Sequence, residues 1–204
     1  MQRIRIKFSK GPEVKFTSHL DVIRCFERAI RRTDIPVSYS SGFNPRMRIA
    51  WGPPLALGIE SICEMADMDI EGWVKPNAVL NKLNSVLPEG FGVIDAKLDS
   101  PTAPSLASSM NRAEYIAEIE AADAAGLKRE LEEILIRQKL EFVVKEKVVD
   151  KKPLLHGLSL SDDDSQVKML VEVGNRGTLK PAEILGLLKE AKIKKIKRVN
   201  LFVS

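Results

Sequence analysis

One short pattern occurs twice in this chain. Lys75-Pro76-x-x-Val79-Leu80-x-x-Leu83 returns 105 residues later as Lys180-Pro181-x-x-Ile184-Leu185-x-x-Leu188. Proline suits the first turn of a helix, and each copy follows an apolar alternating run, so each marks a strand-to-helix junction. The flanking segments repeat as well. Ile4, Ile6 and Phe8 alternate with Arg3, Arg5 and Lys7 as in a half-buried strand. Ser18, three residues before Asp21, opens a helix from His19 to about Arg32 with Leu20, Ile23, Phe26 and Ile30 as its buried stripe. Met47–Trp51 and Cys63–Ile70 read as strands, Pro76 starts the second helix, and Phe91–Leu98 reads as a fourth strand.

The order is β-α-β-β-α-β, the split βαβ or ferredoxin-like arrangement. After a Ser/Pro-rich stretch at 100–110 it returns. Tyr115–Ile119 is followed by a helix through Leu127, Leu131 and Leu135, then strands at Leu140–Val149 and Val167–Val173. A helix at Leu179–Ala191 and a closing strand at Ile193–Val203 complete it. The predicted fold is α+β: two tandem ferredoxin-like units with antiparallel sheets, at residues 1–99 and 111–204, joined by a linker at 100–110.

Composition removes several classes. The 204 residues are 44% apolar and 29% charged, a globular balance. No apolar run approaches the roughly 18 residues of a membrane span, and the alternating start has no signal-peptide core. A cytoplasmic protein without membrane attachment is expected. Cys25 and Cys63 are too few for a disulfide framework or a Cys-only metal centre. Phosphate-loop, dinucleotide-binding, nucleophile-elbow and zinc-protease motifs are absent. No cofactor and no metal site is predicted. Of the acidic run Glu60, Glu64, Asp67, Asp69 and Glu71, the last three alternate with Met68 and Ile70 and are expected to line a solvated sheet face, and Lys194–Arg198 a solvated strand end.

Charge is uneven. Residues 1–50 hold 11 Lys/Arg against 4 Asp/Glu, whereas residues 51–99 hold 3 against 8. A surface for a polyanion therefore belongs to the first fifty residues. Within the first helix, Asp21, Arg24, Arg28, Arg31 and Arg32 fall opposite the apolar stripe, where like charges at i, i+4 repel unless an outside anion relieves them. Structural use of the same arginines at a helix C-terminus is the competing reading.

Next comes Tyr39-Ser40-Ser41-Gly42-Phe43-Asn44-Pro45-Arg46-Met47-Arg48. An aromatic face, Ser41 and Asn44 as hydrogen-bonding groups, and Arg46 and Arg48 for phosphates are the ingredients of single-stranded RNA binding. Phe43 either stands on a loop or folds into the core. His19 at the helix start, with Asp21 to orient it, is the candidate general base for metal-free attack by an RNA 2′-hydroxyl.

Several linked motifs occur in order: Phe16-Thr17-Ser18-His19-Leu20-Asp21, Phe26-Glu27-Arg28-Ala29-Ile30-Arg31-Arg32, Ile35-Pro36-Val37, Tyr39 to Pro45, and Pro54-Leu55-Ala56-Leu57-Gly58-Ile59-Glu60-Ser61. Together they resemble the radical-SAM-linked protein family, a bacterial domain of unknown function. The resemblance is dense over residues 3–71. It implies a protein encoded beside, or fused to, a radical SAM enzyme that often carries a cobalamin-binding domain. The family typically follows Asn-Pro with His-Pro-Lys, where this chain has Arg46-Met47-Arg48. The Cys-x-x-x-Cys-x-x-Cys cluster of radical SAM enzymes is absent, so the chain is expected to be a partner of the radical enzyme and more an accessory than a catalyst.

Three functions follow as expectations. The first is an accessory module that presents RNA to a radical SAM enzyme, through Arg24, Arg28, Arg31, Ser41, Phe43, Asn44, Arg46 and Arg48. The second is a metal-independent RNA-cleaving or RNA-modifying enzyme using His19 and Asp21. The third is a protein adaptor docking the radical enzyme through Phe43, the Pro53-Pro54-Leu55 segment and Gly58, with the arginines pairing with its acidic surface.

Overall fold

A computed structural model describes residues 1–203. It is a mixed α+β protein with mostly antiparallel sheets and, among the described residues, five α-helices. The chain divides after Met110 into two compact units.

The first unit runs β1 (Gln2–Lys10), α1 (His19–Arg31), β2 (Ile49–Trp51), β3 (Glu60–Ile70), α2 (Pro76–Asn84), β4 (Phe91–Asp99) and α3 (Leu106–Ser109). β1 lies between β4 and β3 and is antiparallel to both, and β2 pairs antiparallel with β3. Ile4 stands opposite Met68 and Ile6 opposite Ala66. Because alternate residues share a face, Ile4, Ile6 and Phe8 join Ala66, Met68 and Ile70 in one buried layer.

α1 packs on that layer through Val22, Phe26, Ala29 and Ile30. The Phe26 ring lies 4.5 Å from Phe8, 5.7 Å from Trp51 and 5.8 Å from Phe91. Burying such a side chain stabilises the unit by about 1.5–3 kcal/mol. Ser18 begins the helix, its Oγ accepting from the Asp21 N–H at 3.2 Å. Leu20 departs from the predicted stripe and is exposed, its place in the core taken by Val22. Within the 100–110 stretch, α3 buries Leu106 completely.

The second unit runs β5 (Met110–Ala121), α4 (Ala124–Ile136), β6 (Glu141–Val144), β7 (Lys147–Asp150), β8 (Leu155–Leu160), β9 (Gln166–Glu172), α5 (Pro181–Leu185) and β10 (Ala191–Val203). Its strand order is β10-β5-β9-β8, with β9 antiparallel to β5 and to β8.

Three expectations need correction here. The segment 140–149 is not one strand but the hairpin β6–β7, a separate two-stranded sheet. It folds at Lys145 and Glu146, whose φ of 48° and 67° are those of a type I′ turn. The strand beside β9 is instead β8, which Pro153 and Gly157 disguise as loop sequence. The predicted helix 179–191 closes after Leu185 with Gly186 at its C-cap. Arg198, expected on a solvated strand end, is fully buried.

Candidate functional site

Opposite the apolar layer of the first unit, the odd-numbered residues of β1 meet the odd-numbered residues of β3. Arg3 stands across from Asp69 and Arg5 across from Asp67. Arg3 Nε lies 2.9 Å from Asp69 Oδ1. Arg5 grips Asp67 through Nε at 2.7 Å and Nη2 at 2.8 Å, and its Nη2 lies 2.6 Å from Asp99. Such bidentate, charge-assisted contacts are the strong ones. The Asp67 hydrogen bond, more than any other influence, raises the pKa of Arg5 above its already high value. The expected solvated acidic face is therefore corrected at Asp67, which is 2% exposed. Much of the opposed charge of residues 1–50 and 51–99 cancels within this ladder.

The helix face behaves differently. With Val22, Phe26, Ala29 and Ile30 turned inward, the opposite side of α1 lines an open groove. Its walls are Asp21, Arg24, Cys25, Arg28, Arg31 and Arg32, with Val86 and Pro88 beyond the end of α2. Arg32 joins the walls by donating to the Val86 carbonyl. Arg24 lies 3.3 Å from Asp21, and Arg31 lies 3.8 Å from Glu27. Both pairs are largely exposed, and such pairs contribute little. Among the described residues Arg28 makes no ion pair. Burial pushes the Cys25 thiol pKa up, more than Arg32 and Arg28 pull it down, so it remains a protonated thiol at neutral pH. Four guanidinium groups thus share one concavity with a single carboxylate.

The loop residues form a second basic surface. The Ser40 N–H donates to the Arg46 carbonyl at 2.8 Å, and the Arg46 N–H donates to Ser40 Oγ at 3.0 Å, pinching off a loop at 41–45. Gly42 allows the turn with a φ of 124°. Phe43 stands fully exposed at the tip, with Ser41 and Asn44 exposed beside it. Beneath, Arg46 and Arg48 border a shallow concavity with Arg3, Ser40, Asp67 and Asp69. Arg3, Asp67 and Asp69 lie on the face of the sheet opposite to α1. The helix arginines and the loop arginines therefore occupy opposite faces, and their concavities share no residue.

His19 and Asp21 are likewise separated. Asp21 turns to the arginine groove, with its carboxylate bonded by the Ser18 hydroxyl at 2.6 Å and by Arg24. His19 lines a different cavity of about 20 Å³ with Phe8, Lys10, Val22, Trp51, Leu55 and Glu64, a volume that holds about one water. Lys10 is 2% exposed and donates to the carbonyls of Lys15 at 3.0 Å and Thr17 at 2.8 Å, fixing the approach to α1. Lys10 is a functional-site candidate that motif patterns do not mark, although its even number, in step with Ile4, Ile6 and Phe8, places it on the inward face of β1.

Among the described residues no three His, Cys, Asp or Glu side chains are grouped to hold a metal ion. No helix among them is long and apolar enough to cross a membrane.

Comparison with known proteins bears on this architecture. A chain of a Cbf5-Nop10-Gar1 complex is similar in fold, with a TM-score of 0.51 and 11% identity, over 97% of this chain and 48% of that one. A chain of the archaeal box H/ACA sRNP Nop10-Cbf5 complex matches at a TM-score of 0.47 and 12% identity, over 96% and 46%. This chain spans about half the length of those it matches. No curated protein matches it. The model of the family described as "Uncharacterized protein conserved in bacteria (DUF2344)" matches residues 3–181, and the chain belongs to that family.

Proposed function

We propose that this chain is an accessory binding module, two ferredoxin-like units in tandem, that holds RNA and presents it to a radical SAM enzyme. The observation that carries the RNA reading is the groove along α1, where Arg24, Arg28, Arg31 and Arg32 face one carboxylate. A helix face with this surplus of exposed positive charge is relieved by phosphates, and guanidinium groups offer them paired donors. Phe43, wholly exposed on a loop beside Ser41, Asn44, Arg46 and Arg48, supplies a face for an unstacked base. Because the two basic surfaces lie on opposite faces of the sheet, one RNA reaching both passes around its edge. Separate RNA segments would otherwise fill them singly.

The radical SAM partner is proposed from the sequence resemblance alone. The fold-level similarity to chains of RNA-protein complexes is an architectural likeness, and the proposal rests on the side chains of this protein. Binding of structured RNA is measured by anisotropy between about 50 and 200 mM salt, where several phosphate contacts produce a steep loss of affinity. Replacing Arg24, Arg28 and Arg31 together by Glu should abolish binding at all these salts. Wild-type protein with no affinity for RNA at low salt would overturn the reading. Co-purification of a radical SAM enzyme that survives nuclease treatment tests the partner separately.

A further inference from the structure

The hairpin β6–β7 stands apart from the sheet of its unit and carries apolar residues in the open. Val143 is 76% and Val148 is 66% exposed, and they face each other across the hairpin. A two-stranded ribbon is marginal in water, and three or more strands are needed for independent stability. The hairpin is nonetheless anchored at its base. The Asp150 carboxylate accepts from the Leu140 N–H at 2.8 Å and the Lys152 N–H at 2.9 Å, and Lys152 Nζ donates to the carbonyls of Ile134 and Leu135 at the end of α4. An exposed, valine-rich edge is thus held out from the unit.

Which edge is ready to pair follows from the turn. In a two-residue hairpin the residues flanking the turn, Val144 and Lys147, exchange hydrogen bonds, as do Phe142 and Val149 two positions on. The N–H and C=O groups of Val143 and Glu141 therefore point outward from β6, and those of Val148 and Asp150 outward from β7.

We infer that β6 pairs antiparallel with β6 of a second copy of this chain, with Val143 on the two-fold axis. In that register Val143 meets Val143 of the partner subunit in a hydrogen-bonded pair. Each Phe142 faces the partner subunit's Val144, and each Glu141 faces the partner subunit's Lys145. The apolar centre is thus flanked on both sides by opposite charges, which favours this register. Glu141 has reason to take such a partner. Within its own hairpin it stands directly opposite Asp150, and among the described residues its one ion pair is an exposed contact with Lys139 at 4.0 Å. The result is a four-stranded sheet, β7-β6-β6-β7, with the four exposed valines together on one face.

The other edge resists the same treatment. Two copies of β7 centred on Val148 place Glu146 against Asp150, so like charges face each other in that register and oppose growth beyond two copies. The predicted association is isologous and closed rather than fibrous.

Sedimentation equilibrium of the full chain, up to millimolar concentration, tests the inference. A monomer–dimer equilibrium is expected. Lys145→Glu and Glu141→Lys should each weaken it about tenfold or more, since each sets like charges opposite. The double variant E141K/K145E, which exchanges the charges, should return within about threefold of wild type. Val143→Lys should leave a monomer, with circular dichroism confirming the fold. A strictly monomeric wild type overturns the inference. So does a dimer that tolerates Val143→Lys, or one that the double variant fails to restore.

Discussion

Two groups of arginines in the first unit, drawn from the same basic fifty residues, meet opposite fates. Arg3 and Arg5 lie on a strand whose neighbours supply Asp69, Asp67 and Asp99 in register, and the charges neutralise one another. Arg24, Arg28 and Arg31 lie on a helix whose surroundings supply Asp21 and Glu27 at the margin and leave Arg28 with no acidic partner among the described residues. Surplus charge along a sequence stays open to an outside ligand only where the fold fails to cancel it. Strand pairing brings in distant acids, while an outward helix face meets only solvent and ligands.

The largest effect should come from breaking the neutralised group. Arg5→Ala strands Asp67, whose side chain is 1% exposed, as a buried carboxylate without its bidentate partner. Removing one partner of a buried pair costs about 3–5 kcal/mol, to be read as a lower urea midpoint at unchanged slope. Arg28→Ala on the open face should move stability by no more than about 0.5 kcal/mol. Its cost should fall on RNA affinity, and the slope of log K against log salt should flatten by about one phosphate contact. If Arg28→Ala destabilised the fold as much as Arg5→Ala, the contrast between the two groups would collapse.

Phe43→Ala sharpens the contrast from the loop side. Its ring has no packing to lose, so the urea midpoint should not shift. If Phe43 stacks on a base, affinity for single-stranded RNA should fall by about 1–3 kcal/mol, with little change in the salt slope. Unchanged affinity would assign RNA to the helix groove alone.

How far these surfaces could be read in advance depended on what kind of information each needed. Periodicity is local, so α1, the Ser18 start and the opposed apolar and arginine faces were plain from spacing. Gly42 and Asn44-Pro45 likewise announced a turn, and Phe43 is displayed on it. Strand partners are not local. Nothing near Asp67 says that Arg5 will lie across from it, so the acidic alternation read as a solvated face. The hairpin at 141–150 deceived for a related reason: a type I′ turn made of Lys145 and Glu146, without the usual Asn-Gly, leaves the alternation almost unbroken. His19 and Asp21, two residues apart on a helix and so about 200° apart around its axis, turn into separate concavities as that spacing requires.

Asp21 offers the finest test of how the groove is set. The Ser18 hydroxyl, donating to its carboxylate, is the main influence that lowers the Asp21 pKa, with Arg24 adding to it. A carboxylate whose pKa is depressed in the folded state stabilises it fully above its unfolded pKa of about 3.9. That contribution disappears as the pH falls through the depressed value. Side-chain NMR titration should therefore find Asp21 protonating below the ordinary carboxylate range. Ser18→Ala should bring the pKa back toward that range and cost about 1 kcal/mol through the lost helix cap. Arg24→Ala should move it less, because the arginine sits farther away and both side chains are mostly in water. Were Arg24→Ala to shift Asp21 more than Ser18→Ala, the carboxylate would be serving the arginine rather than the helix cap, and the groove would hold one free guanidinium fewer than its outline suggests.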